Sequence, residues 1–232
     1  LFAQTDNTLL GLMPIAANHR PGQFPIEILD SKGAVLTTQT VVIRKANFLE
    51  QNVQLTQTLQ ELKAAPGDAE AMRQFHAILS TDRNWFEPLS SPVPGCVVSP
   101  YGVQRLHNGK PTGNYHSGID QRGATGTPVR AAAAGTVRLV KPLALGGNTV
   151  GVDHGQGLLS SYSHLSRFAL QDGATIQKAD IIGYVGSTGR STAPHLHWTL
   201  MANGVGVNPA QWIPFTPCAV APKPKPKKRR RS

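Results

Sequence analysis

The second half of this 232-residue chain leaves few folds open. From Cys96 onward it is dense in glycine and broken into short runs rich in β-branched residues: Pro128 to Ala132, Gly135 to Val140, Asn148 to Asp153, Leu158 to His164, Ile181 to Val185 and His195 to Met201. None of these carries the 3.6-residue apolar period of a surface helix. Turn residues part them, which predicts a mainly β fold: one antiparallel domain, with residues 92–217 as its span.

Two stretches of that region echo one another. GTPVRAAAAGTV from Gly126 and GATIQKADIIGYV from Gly173 share a glycine, a β-branched residue three positions on and a second Gly-x-Val. Such paired hairpins resemble the half-motifs of lipoyl or biotinyl carrier domains. A carrier needs its modifiable lysine at a hairpin tip in a DKA or MKM setting; Lys178 sits in QKAD, so the fold resemblance stands and the carrier function does not.

The first half reads differently. Pro25 to Leu29 and Val35 to Ile43 flank the turn residues Asp30 to Gly33 and predict a hairpin. Residues 1–46 therefore form a small β segment with too few strands for a full sandwich, similar to part of an immunoglobulin-like module. From Asn47 to about Thr81 the period becomes helical, with Leu49, Val53, Leu55, Leu59 and Leu62 on one stripe, then Met72, Phe75 and Leu79 after a Pro66–Gly67–Asp68 break. Residues 47–91 thus read as two short connector helices and a linker; the stretch Glu87 to Gly95, with Pro88, Pro92 and Pro94 among serines, marks the domain boundary.

Chemistry gathers after residue 115. YHSGID holds His116 and Asp120, SYSHLS holds His164, and APHLHW holds His195 and His197. Two imidazoles and a carboxylate suit a borderline-soft divalent ion such as zinc, and three protein ligands with one open position is the catalytic pattern. Side chains two apart on a strand share a face, so His195 and His197 project together while Leu196 packs behind. Tyr162 and His164 are expected to repeat that geometry on another strand. The other histidines, His19, His76, His107 and His154, show no such pairing; His154 in DHGQG reads as a turn residue. The glycine-rich stretch Gly183 to Ser191 is no P-loop, because its glycines are one residue too far apart and Arg190 stands where lysine is required. Its open glycines are expected to let an extended peptide lie against the backbone, or else to make plain tight turns.

In order and spacing, SPYG, NGK, YHSGID, GTPVRAAAAGTV, GNTVGVDHGQGLLSSYSHLS, IIGYVGSTGRST and APHLHW resemble the lysostaphin or LytM-type zinc endopeptidases that cut peptidoglycan peptides. The likeness runs from about Pro92 to Phe215. In layout the chain also resembles exported bacterial members with an immunoglobulin-like segment and helices ahead of the peptidase. The resemblance implies one zinc per chain, held by His116, Asp120 and His197, with His164 and His195 as the catalytic histidines. Peptidoglycan peptides would be the substrate, cut by a metal-activated water, in the periplasm or outside the cell. Some relatives have lost ligands and activate other wall hydrolases without cutting; all five residues are present here, which favours an enzyme. Zinc chemistry brings the pKa of water from 15.7 toward about 7, and the carboxylate of Asp120 is expected to moderate that effect. No HExxH glutamate exists, so the base and the oxyanion donor would be His164 and His195, whose ordinary pKa near 6.5 suits proton transfer.

Charge adds little about identity. The formal net charge is +10, yet seven of the 23 lysines and arginines fall in the last ten residues, which hold no acid. Residues 218–232 read as a disordered basic tail that attracts anionic wall polymers through charge; nothing points to a specific nucleic acid. Cys96 and Cys218 form no CxxC pair, so they are either a bridge across the domain or two buried thiols. The longest apolar run, Leu9 to Ala17, is interrupted by Pro14 and is too short to span a bilayer. A first residue that is not methionine, with no charged and apolar leader behind it, fits a mature exported chain or a trimmed one.

Overall fold

The computed structural model describes residues 1–4 and 6–219. The basic tail expected after Cys218 therefore lies almost wholly outside the described residues. In the first half, β1 (Phe2–Ala3) pairs with β2 (Leu9–Leu10), and β3 (Gly22–Leu29) pairs with β4 (Val35–Ile43) as the expected hairpin. They form two separate two-stranded sheets. The helical reading of Asn47 to Thr81 needs correction. Glu50–Val53 is a strand, β5, followed by a single turn of helix, α1 (Gln57–Glu61), and by α2 (Asp68–His76). Leu49 and Val53 mimic a helical stripe, but the first is exposed and the segment pairs in parallel with β7 (Gln104–His107). α2 ends at His76, so Leu79 falls beyond it and is exposed.

The body is built from β6 (Val97–Ser99), β7, β8 (Lys110–Tyr115), β9 (Ile119–Arg122), β10 (Pro128–Arg130), β11 (Gly135–Leu143), β12 (Gly147–Gly155), β13 (Leu158–Phe168), β14 (Thr175–Ile176), β15 (Ile181–Val185), β16 (His195–Ala202) and β17 (Val205–Val207). The long antiparallel sheet runs β14-β11-β12-β13-β16-β9-β6, with β10 and β15 paired beside it. The sequence echo has a structural meaning here. The first strand of one copy, β10, pairs with the last strand of the other, β15, and β14 pairs with β11. The two half-motifs thus exchange strands, as a duplicated hybrid fold requires.

Alternation along β12, β13 and β16 sends Val150, Val152, Leu158, Tyr162, Leu165, Leu196, Trp198 and Leu200 into one core, all with no accessible surface. Leu89 and Val93, from the proline-rich stretch, are buried in that same core, so the stretch is not a free tether. A disulfide joins Cys96 to Cys218 beside the Val97–Pro217 bridge. Among the described residues, no helix is long and apolar enough to cross a membrane.

Candidate metal centre

β9 and β16 lie antiparallel, with His197 opposite Asp120 and His195 opposite Arg122. Residues directly opposed on neighbouring strands share a face. That face opens into a cleft of about 1030 Å³, while Leu196 and Trp198 point the other way. His116, just ahead of β9, turns its ring onto the same point. His116 Nε2 lies 3.0 Å from Asp120 Oδ1 and 3.0 Å from His197 Nδ1, and His197 Nδ1 is 2.8 Å from Asp120 Oδ1. The remaining ring nitrogens are occupied: His116 Nδ1 donates to Pro100 O at 2.9 Å, and His197 Nε2 lies 3.0 Å from Thr199 Oγ1. Thr199 Oγ1 can donate to or accept from His197 Nε2; where it accepts, two ring lone pairs and a carboxylate oxygen face one another with no hydrogen between them. Such a triangle repels itself unless a cation sits at its centre. Donors about 2.0 to 2.1 Å from a tetrahedral ion stand about 3.3 Å apart, so the set fits a zinc-sized ion after a small expansion.

The fourth direction is flanked by two more imidazoles. The ring centroids of His164 and His195 are 4.8 Å apart, and that of His164 is 6.1 Å from that of His197. His164 arrives there by a device the alternation rule does not foresee. Register slips between Asn148 and Val150 where β12 faces β13, and His164 takes φ +62°, rare for a residue with a Cβ. The bulge turns His164 into the cleft, whereas Tyr162 stays in the core with its hydroxyl accepting from Ala132 N. The expectation that Tyr162 and His164 share a face is thus overturned. His164 Nδ1 donates to Thr188 O at 2.8 Å, and His195 Nδ1 to Ala193 O at 2.8 Å, leaving Nε2 of both free; that of His195 stands 3.7 Å from Asp120 Oδ1.

Electrostatics match the geometry. Without a cation, burial would raise the Asp120 carboxyl, but N–H donation and positive charge from the His116 and His197 rings outweigh that and hold it well below the usual range. Burial lowers His197, against the pull of Asp120. Burial, with the neighbouring His197 and His195, lowers His164 to about 3, so its ring is neutral at physiological pH. Asp120 Oδ2 is held by Arg105, whose guanidinium also reaches Ser99 Oγ at 3.1 Å.

The five histidine and aspartate positions singled out in the sequence therefore all line one cleft. Arg105, Ser99 and Thr199 were not foreseen, because their part depends on which strand lies beside which. His154 needs correction: it is a fully buried strand residue, bonded to Ala134 O and Ser160 Oγ, and not a turn residue. His76 and His107 line the cleft wall. The expected peptide-facing role of the glycines after β15 is also revised. A Cβ on Gly186 would sit 2.4 Å from Ser166 N, and one on Gly189 2.3 Å from Gly147 N, so they serve close approach within the chain.

Comparison with known proteins agrees with this arrangement. The model of peptidase family M23 matches residues 114–209. The DD-carboxypeptidase/endopeptidase Mpg of Neisseria meningitidis is 41% identical over 121 residues, 52% of this chain and 28% of that protein. Lysostaphin of Staphylococcus staphylolyticus is 39% identical over 101 residues, 43% of this chain and 21% of that one. The chain thus spans under a third of the length of these curated relatives. A crystal structure of a peptidase M23 from Pseudomonas aeruginosa superposes with a TM-score of 0.66 at 29% identity, covering 86% of this chain and 76% of the other. Residues 114–209, which carry all five residues, match peptidase family M23, and this part of the chain is similar to the LytM/lysostaphin type.

Proposed function

We propose that this protein is a zinc-dependent endopeptidase that hydrolyses peptide bonds in bacterial peptidoglycan, acting in the periplasm or outside the cell. The observation that carries the reading is the convergence of three acceptor atoms, from His116, Asp120 and His197, with the rings of His164 and His195 at the open side. Zinc in that set would supply Lewis acidity toward water and the scissile carbonyl. His116 and His197 are oriented for it by Pro100 O and Thr199 Oγ1, and Arg105 keeps the second carboxylate oxygen of Asp120 engaged. His164 and His195, each fixed by a carbonyl at Nδ1, offer Nε2 to the reacting atoms. One takes the proton of the attacking water, and the other, when protonated, donates to the developing oxyanion. The disulfide supports an oxidising compartment, and relatives named as peptidoglycan DD-endopeptidases support the substrate class.

The test incubates zinc-loaded protein with purified sacculi. Peptide release that EDTA abolishes, and that His116→Ala loses together with bound zinc, is the expected result. No release under conditions where a lysostaphin-type enzyme works, with His116→Ala indistinguishable from the parent, would leave a noncatalytic wall-binding role instead.

A further inference from the structure

The cleft holds more positive charge than the reaction uses. Of the acids that line it, Asp120 is engaged by two imidazoles and Arg105, and Asp68 accepts the backbone N–H groups of Ala65 and Ala144 at 3.0 and 2.9 Å. Arg122 and Arg190 line the same cleft, and neither side chain has an acidic partner among the described residues. A bound divalent ion would add to this excess. The cleft therefore offers two cationic side chains, exposed Arg122 and half-buried Arg190, to an anion.

Both arginines are placed by the groups that do the chemistry. Arg122 is the register partner of His195, on the face that carries Asp120 and His197. Arg190 sits between Thr188, whose carbonyl fixes His164, and Ser191, whose hydroxyl is 3.2 Å from His195 Nδ1. Its own N–H donates to Leu145 O at 2.9 Å, and the abutment of Gly189 on Gly147 pins the loop. Arg190 is half-buried at the wall, and its charge acts on His107 of β7, whose pKa is lowered first by burial and then by the Arg190 charge.

We propose that Arg190, assisted by Arg122, selects peptides that carry a free carboxylate beside the scissile bond over uncharged glycyl chains. This rests on the hydrolytic reading above and deepens it by naming the substrate class. A planar guanidinium grips a carboxylate through two parallel N–H···O bonds, which a carboxamide cannot reproduce.

The experiment uses the zinc-loaded full chain and two synthetic wall peptides that differ only in having a carboxylate or a carboxamide on the residue next to the cleaved bond. The expected kcat/KM is about tenfold or more higher for the acid, and the ratio declines between about 50 and about 500 mM salt. Arg190→Gln brings the ratio to within about twofold of unity, mainly through KM, while Arg190→Lys keeps part of the preference; Arg122→Gln lowers it less. A ratio near one in the parent, or a parental ratio retained in both glutamine variants, overturns the proposal. Should Arg190→Gln fail to fold, the parental ratio and its salt dependence decide alone, a flat salt response counting against it. Calorimetric affinities for the same pair with a ketomethylene link in place of the scissile amide separate the two readings. Tighter binding of the acid without cleavage of either parent peptide sinks the hydrolytic function and keeps the clamp, whereas equal binding and equal cleavage sinks the clamp alone.

Discussion

His164 sits at φ +62° in a bulge, with Nδ1 on a carbonyl and its ring kept neutral by burial. Strain of this kind costs of the order of 1 to 3 kcal/mol and persists where the surroundings enforce it. Asparagine tolerates the left-handed region, so His164→Asn removes the imidazole with little backbone penalty. Turnover of wall peptide is expected to fall by about 10² to 10⁴ with zinc content retained by elemental analysis; loss of the metal as well would make His164 a ligand. His154 gives a second prediction. Burial lowers its pKa from 6.5 to about 4 despite the Ala134 carbonyl, so the folded state holds it neutral. The unfolded chain binds that proton first as pH falls, and the stability of the fold therefore declines from about pH 6.5 down to about 4, by about 3 kcal/mol at most. Urea midpoints across that window should show the slope, and His154→Gln should reduce it, the remainder belonging to His164 and the other histidines that burial lowers.

At the scale of elements, α2 closes one wall of the cleft and is anchored chiefly by one buried ring, with Ala71 and Met72 beside it. Phe75 is 2% exposed and packs with Leu139, Leu159 and Met201. It lies so close over β12 that a Cβ on Gly151 would fall 2.7 Å from its Cε2 and Cζ atoms. Phe75→Ala is expected to destabilise by about 3 to 5 kcal/mol, and Gly151→Ala to destabilise by pushing the helix off the sheet. Equilibrium denaturation checks both; a Gly151→Ala protein as stable as the parent would show that α2 shifts freely. The sequence displayed α2 through its Pro66–Gly67–Asp68 start and Phe75, yet it disguised β5. Four residues cannot separate a strand from a helix by period alone, and β5 exists because the edge of β7 is there to receive it.

Over the whole molecule, the Cys96–Cys218 bridge ties positions 122 apart, one at each margin of the peptidase body. Closing so long a loop restricts the unfolded chain by about 4 to 5 kcal/mol. Reduction, or Cys96→Ser with Cys218→Ser, should lower the unfolding free energy toward that amount in denaturant titrations with and without reductant. A change below about 1 kcal/mol would place residual structure in the unfolded chain around the bridge.

The chain's linear pattern determined the strand spacing, the strand-exchanging echo and which five residues of metal-binding type meet in the cleft, because alternation and residue type are local properties. Which carboxylate oxygen Arg105 holds, how His164 leaves the face of Tyr162, and why two arginines around the cleft have no acidic partner among the described residues were decided only in three dimensions. Those features depend on register, on a bulge and on the pairing of distant strands, and each is fixed by contacts between residues the sequence keeps far apart.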